Sequence, residues 1–137
     1  MQLPDSLKEF LGHWSEHEST TKQAFLELLE AMQPLPGLGY DFKARPGVSY
    51  SLRMVCPSAK RGLLALMDII DDDPENRWLS VCFYADLIQD PEEQGDLIPG
   101  GLLGEDGYCF DLDAYDPKTV AYLQARLQEA YRALSPR

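Results

Sequence analysis

The sequence predicts a two-layer α+β domain, in which an antiparallel sheet of about four strands has the N- and C-terminal helices on one face. Apolar residues recur every three or four positions near both ends of the chain, the period of an amphipathic helix. Between them, four segments have the apolar patterns of strands. Short turns join most of these segments and favour antiparallel neighbours. The 137 residues fit a single domain, 1–137.

Residues 5–33 have a helical pattern. The apolar stripe comprises Leu7, Leu11, Trp14, Thr21, Phe25, Leu28 and Met32. Gly12 and a following polar run weaken the middle of this segment, so two helices, at about 5–14 and 19–33, are the alternative. Residues 34–47, rich in proline and glycine, are expected to form a loop.

The four strand-like segments are residues 48–56, 63–70, 78–88 and 108–112. The segment 78–88 has the strongest signal, with one strongly apolar face and a second face that contains Trp, Cys and Tyr. We therefore expect it to lie inside the sheet. The segment 63–70 is almost continuously apolar, for which a buried helix is the alternative.

Residues 89–107 form the longest predicted connection. Four glycines among residues 100–107 favour irregular backbone, and a connection of this length is often functional or mobile. Asp116 as N-cap and Pro117 as first helical residue then begin a closing helix. Its apolar stripe comprises Val120, Leu123, Leu127, Ala130, Tyr131 and Leu134.

The net charge of -11 is concentrated in one region. Residues 62–115 contain fourteen acids and one base, whereas residues 48–61 contain three bases and no acid. Such a field repels phosphate backbones and anionic lipid, which excludes nucleic acid and membrane surfaces and favours a basic protein partner or cations. An acidic surface that only maintains solubility is an equally weighted alternative. The turn with Lys60 and Arg61 is expected to neutralise some acids of the 89–107 connection.

The expected location is the cytoplasm. No apolar run approaches the roughly 20 residues that span a bilayer, and the N-terminus lacks the basic and apolar regions of a secretory signal. Cys56, Cys82 and Cys109 fall in three different predicted strands. This distribution favours reduced core thiols over a disulfide framework.

Five aspartates form a predicted cation site: Asp71, Asp72, Asp73, Asp111 and Asp113. They follow or end the second and fourth predicted strands, which finish at the same end of an antiparallel meander. Carboxylates crowded without a base raise one another's pKa or recruit a cation. The pattern therefore predicts a weak site for a divalent or ferrous cation, and a solvated acidic rim is the favoured alternative.

Four aromatic residues are the predicted ligand-binding residues: Trp78, Tyr84, Tyr108 and Phe110. They lie on the central and last predicted strands and could line a pocket with the 89–107 connection as its lid. An ordinary core is the favoured alternative.

His13 and His17 have the spacing of a two-histidine metal pair on a helix. No third ligand is evident, so a solvated pair is favoured. No arrangement of Ser, His and Asp identifies an acyl-transfer triad, and the cysteines lack Cys-x-x-Cys spacing. Catalysis is left open, with a non-catalytic role favoured.

Two short stretches carry a resemblance: Lys43 with Val48-Ser49-Tyr50-Ser51-Leu52, and Leu127-Gln128-Glu129-Ala130-Tyr131. They are similar to segments of small bacterial α+β domains related to frataxin-like iron chaperones. The resemblance covers under half of the chain. It implies an acidic iron-delivery or accessory role and identifies no ligands.

The leading functional prediction is a non-catalytic binding or accessory module for a basic protein partner, with a weak cation site. The alternative is a small-molecule-binding protein or minor enzyme that uses the aromatic pocket. A monomer and a dimer paired through a strand edge are both left open.

Overall fold

The computed structural model describes residues 3–15, 20–59 and 61–134. These residues form three α-helices and one antiparallel sheet of six strands. The helices are α1 (Asp5–His13), α2 (Thr21–Met32) and α3 (Pro117–Leu134). The strands are β1 (Gly39–Arg45), β2 (Ser49–Val55), β3 (Leu63–Ile70), β4 (Trp78–Tyr84), β5 (Asp96–Leu102) and β6 (Glu105–Leu112). They lie side by side in the order β1-β2-β3-β4-β6-β5.

The α+β class and the antiparallel sheet are confirmed, whereas the expected number of about four strands is wrong. β1 lies in the expected loop 34–47, and β5 lies in the expected connection 89–107. Both are edge strands, where proline and glycine are tolerated because one row of backbone groups has no partner strand. β5 contains Pro99, Gly100 and Gly101, and all its residues except the last are exposed. Its sequence therefore lacks the apolar alternation by which a strand is recognised.

The N-terminal segment forms two helices, so the two-helix interpretation of residues 5–33 is confirmed and the single helix is wrong. α1 ends at Trp14, whose backbone is extended at φ -81° and ψ 105°. Thr20 precedes α2 in the left-handed region, at φ 52°. Three described helices therefore replace the expected pair of one N-terminal and one C-terminal helix.

The segment 78–88 contains an interior strand, as predicted, but this strand is shorter than expected. β4 ends at Tyr84, and Ala85–Leu87 form a 3-10 turn. Leu87 and Ile88 are still buried, so their apolar character reflects burial and not strand pairing. β3 is also a strand, as predicted, and not the alternative helix.

The register assigns the strand residues to two faces, because directly opposed residues of an antiparallel ladder point to the same side. On the side called here the helix face, Phe10 of α1 stacks on Tyr50 with ring centroids 4.0 Å apart. Tyr122 of α3 meets Phe110 edge-on at 6.2 Å. The fully buried strand residues of this face include Leu52, Met54, Ala65, Met67, Ile69, Leu79, Val81 and Phe83. The alternate residues form the other side, called here the open face.

Cys82 and Cys109 lie directly opposite each other in the β4–β6 ladder and form a disulfide. The expectation of three reduced thiols is therefore wrong for this pair. Cys56 is free and buried, as predicted. The sequence pattern did not reveal the pairing because strand register depends on the turns as well as on the apolar period.

The unfolded, unreduced protein should expose one thiol to a thiol reagent, since only Cys56 of the three cysteines is unpaired. The bridged residues are 27 positions apart in sequence. Replacing both by serine should therefore lower the free energy of unfolding by roughly 3 kcal/mol, because the unfolded chain gains conformational entropy when this loop is no longer closed. Detection of three thiols before any reduction would contradict the pairing.

Candidate functional site

The predicted cation ligands lie at one end of the sheet, as expected, because β3 and β6 both end beside the start of β4. Asp71, however, is buried and forms an ion pair with Arg77. The expectation that these acids have no basic neighbour is therefore wrong. Asp72, Asp111 and Asp113 are exposed. Within the described ranges, no three His, Cys, Asp or Glu side chains are grouped so that they could hold a metal ion.

Asp73 belongs to the turn between β3 and β4. It accepts hydrogen bonds from the Glu75 backbone N–H at 3.0 Å and from the Asn76 side-chain amide at 2.9 Å. Aspartate commonly stabilises turns through such local hydrogen bonds. The divalent or ferrous cation site remains a prediction, without a ligand cluster in the described residues to support it.

The four predicted ligand-binding aromatics do not share a pocket. Tyr84 lies opposite Gly107, and Trp78 lies four residues before Cys82 in β4, so both side chains are on the open face. Tyr108 and Phe110 lie opposite Phe83 and Val81 on the helix face. The sheet therefore separates the set into two pairs, and the proposed lid instead contains the edge strand β5. The prediction of one pocket lined by all four residues is wrong.

Arg61 neutralises acids at the other end of the sheet, as predicted for its turn. Its guanidinium contacts Asp86 at 2.5 Å and Glu105 at 2.8 Å. Both carboxylates are substantially exposed, so water screens these ion pairs and their contribution to stability is small. Lys60 lies outside the described residues, as does His17 of the histidine pair.

A groove of about 310 Å³ lies between α1 and the first two strands on the helix side of the sheet. We call it the Arg77 groove. Its aromatic and apolar lining residues are Phe10, Phe42, Ala44 and Tyr50, and its polar lining residues are Ser6, Glu9, His13 and Arg77. This volume falls at the lower end of the range of roughly 300–1,000 Å³ found for small-molecule sites.

The aromatic wall of the groove follows from the β1–β2 register. Ala44 lies opposite Tyr50, and Phe42 lies opposite Leu52, so all four side chains are on the helix face. The three rings form a triangular cluster, with centroid distances of 4.0 Å for Phe10–Tyr50, 5.8 Å for Phe10–Phe42 and 6.3 Å for Phe42–Tyr50. Such ring contacts stabilise by about 0.5–1.5 kcal/mol beyond the area they bury. The wall therefore has a fixed shape and an apolar surface.

Arg77 closes the groove and is held in place by two kinds of contact. Its Nε donates a hydrogen bond to Asp71 Oδ1 at 2.7 Å. Its guanidinium carbon lies 5.1 Å from the ring centre of Phe10 and 5.5 Å from that of Tyr50, within the range of a cation–π interaction. In the described part of the chain, no acceptor engages its two terminal NH₂ groups. These groups are therefore available to a ligand.

Asp71 is the acceptor that fixes Arg77. Burial acts to raise the pKa of this carboxyl, but hydrogen bonds from Arg77, the Gly47 N–H and Tyr50 outweigh it and hold the pKa below its ordinary value of 3.8. The Gly47 N–H donates to Asp71 Oδ2 at 2.9 Å. This turn residue has φ +83°, a backbone conformation that glycine adopts without strain. Asp71 is therefore ionised at neutral pH.

Sequence reasoning did not identify the groove. Phe42 lies in a segment expected to be a loop, and Tyr50 belongs to the apolar alternation of a predicted strand. One signal was present, because Arg77 is the single base among the fourteen acids of residues 62–115. An isolated base within an acidic region is a candidate for a specific ion pair.

No family model matches the chain, and neither the curated proteins nor the solved structures include a significant match. The resemblance to frataxin-like iron chaperones therefore stays a prediction. Among the described helices, none is both long and apolar enough to cross a bilayer.

Replacing Asp71 by Asn should destabilise the protein by about 3 kcal/mol at pH 7, because it removes one partner of a buried ion pair. Since the folded-state pKa of Asp71 lies below its ordinary value, its stabilising contribution is complete well above pH 4 and is lost as the pH falls through the folded-state pKa. The difference between the wild type and Asp71→Asn in urea unfolding should therefore shrink below about pH 4.

Asp72→Asn is the matched control, because it removes the same charge from the adjacent, exposed position. It should change the free energy of unfolding by less than about 0.5 kcal/mol. Equal effects of the two substitutions at neutral pH would contradict a structural role for the ion pair.

Proposed function

We propose that the protein binds a small planar organic anion in the Arg77 groove. The observation that supports this proposal best is the arrangement of Arg77. Its Nε is fixed by Asp71, and its terminal NH₂ groups have no acceptor in the described part of the chain. A guanidinium fixed in this way can donate two parallel hydrogen bonds to a carboxylate.

The aromatic wall favours a planar ligand. Phe10 and Tyr50 are already stacked, and the ring of Phe42 is only partly buried. A flat ring could therefore pack on the exposed part of the Phe42 ring while its carboxylate reaches Arg77. The volume of about 310 Å³ is sufficient for one or two fused rings.

The polar rim of the groove restricts the charge of the ligand. Glu9 lines the same groove as Arg77, so a second negative charge on the ligand would meet a carboxylate. His13 and Ser6 can donate or accept hydrogen bonds at this rim. These features favour a monoanion. The proposal follows the alternative prediction from the sequence, a small-molecule-binding protein, but with the ligand in the Arg77 groove.

Binding of a basic protein partner is the second candidate, and exposed residues around β5 favour it. Leu97, Ile98 and Leu103 are 50%, 41% and 55% exposed, although they are large and apolar. Glu105 and Asp106 beside them are exposed acids. An apolar strip with an acidic border fits a basic partner. Such binding would not depend on the Arg77 groove, which distinguishes the two candidates experimentally.

The first candidate can be tested with 2-naphthoate and its neutral analogue 2-naphthamide as probes. NMR titration should show 2-naphthoate shifting the amide signals of α1 and β1. We expect 2-naphthamide to bind at least about tenfold more weakly, because it lacks the charge that Arg77 recognises. Arg77→Gln should weaken 2-naphthoate to the level of the amide.

Two further variants separate binding from folding. Ala44→Trp fills the groove from the exposed strand β1 without changing Arg77 or Asp71, and it should abolish binding of both probes. Arg132→Gln removes an equal charge from an exposed position of α3 and should leave 2-naphthoate binding unchanged. Equal affinity for acid and amide, or binding that survives Ala44→Trp, would refute the proposal.

A further inference from the structure

The open face of the sheet has a charge gradient across its strands. One row of directly opposed residues reads Lys43, Ser51, Asp68, Ser80, Asp111 from β1 to β6. The neighbouring row reads Arg45, Ser49, Ile70, Trp78, and Asp113 follows β6 beside Trp78. Both rows therefore begin with a base at β1 and end with an acid at β6.

The four terminal charges of these rows are available for external contacts. Lys43, Arg45, Asp111 and Asp113 are all exposed. In the part of the chain that the structure describes, none of them forms an ion pair. Between these terminal charges, the Ser51 hydroxyl donates a hydrogen bond to Asp68.

Half-buried apolar side chains flank the polar row of Ser51, Asp68 and Ser80 on the open face. Ile70 and Trp78 lie on one side of this row, and Leu66 lies on the other side, opposite Cys82 of the disulfide. The solvent face of an antiparallel sheet is usually polar. Apolar side chains between a basic and an acidic border are typical of an interaction surface.

We propose that this surface binds a second copy of the chain, with the two open faces packed about a two-fold axis parallel to the strands between β3 and β4. This rotation reverses the strand order, so β2 of one copy covers β6 of the other, and β3 covers β4. Ile70 then meets Trp78 of the partner subunit, and Asp68 meets the partner's Ser80. A two-fold interface of this kind is self-complementary by symmetry.

The charges select this axis. Lys43 and Arg45 of each copy lie within about one strand spacing, roughly 4.8 Å, of the partner's Asp111 and the partner's Asp113 in the plane of the sheet. Their long side chains can cross that distance. A two-fold axis in the sheet plane but perpendicular to the strands would instead place β1 on β1 and bring like charges together. A foreign basic protein would match only the acidic half of the face.

The size of the face sets the expected affinity. Six strands of about seven residues cover an area of roughly 24 by 23 Å, so the dimer would bury on the order of 1,100 Å² in total, near the lower limit for specific interfaces. A third row ends in Asp41 at one rim and Asp96 at the other, which adds repulsion there. We therefore expect a reversible, salt-sensitive dimer with a dissociation constant on the order of 10 μM.

Sedimentation velocity of the full chain at about 100 μM should show a dimer at about 50 mM salt that dissociates at about 500 mM salt, as screening weakens the four interfacial ion pairs. Lys43→Glu with Arg45→Glu should give a monomer, and so should Asp111→Lys with Asp113→Lys. An equimolar mixture of these two variants should dimerise again. In the mixed dimer, the acids introduced at positions 43 and 45 face the bases introduced at positions 111 and 113 of the other variant, and the native ion pairs remain on the opposite side.

Glu92→Lys with Glu93→Lys is the matched control, since it reverses two exposed acids away from the open face and should leave the dimer intact. Circular dichroism of each variant establishes that loss of the dimer is not loss of the fold. A monomeric wild type at low salt, a dimer that survives both double reversals, or a mixture that stays monomeric would each overturn the proposal.

Discussion

The ion pair between Asp71 and Arg77 lies where the β1–β2 turn, the β3–β4 turn, α1 and α2 meet. Asp71 follows β3 and receives the Gly47 N–H from the β1–β2 turn. Arg77 precedes β4, and its carbonyl accepts the Thr21 hydroxyl at the start of α2 at 2.7 Å. Its guanidinium lies near Phe10 of α1. Both helices of the N-terminal half are therefore anchored to the sheet at this junction.

A buried ion pair is not a simple source of stability, because both charges lose their hydration. Its geometry, however, is fixed when neighbouring groups satisfy the remaining polar atoms. Asp71 accepts hydrogen bonds from Arg77 and from the Gly47 N–H, one on each carboxylate oxygen. In the described ranges, the terminal NH₂ groups of Arg77 have no protein acceptor, and they lie beside an aromatic wall. The same contact that organises the junction therefore leaves a donor pair with a defined orientation, which the proposed anion site uses.

The sequence predicted those elements whose burial is regular. The apolar stripe of α3 and the patterns of β2, β3, β4 and β6 all led to the correct element type, because one face of each is continuously buried. β1 and β5 were missed because edge strands lack that requirement. The strand register also could not be predicted from the sequence pattern. A shift of one residue would have put Tyr84 on the side of Tyr108, and would have separated Cys82 from Cys109.

The central claim is that Asp71 and Arg77 stabilise the fold through each other, and a double-mutant cycle tests it most directly. Urea unfolding of the wild type, Asp71→Asn, Arg77→Gln and the double variant gives their coupling free energy. We expect a coupling of about 2 kcal/mol or more, with the double variant scarcely less stable than either single variant. Additive effects within about 0.5 kcal/mol would contradict the claim.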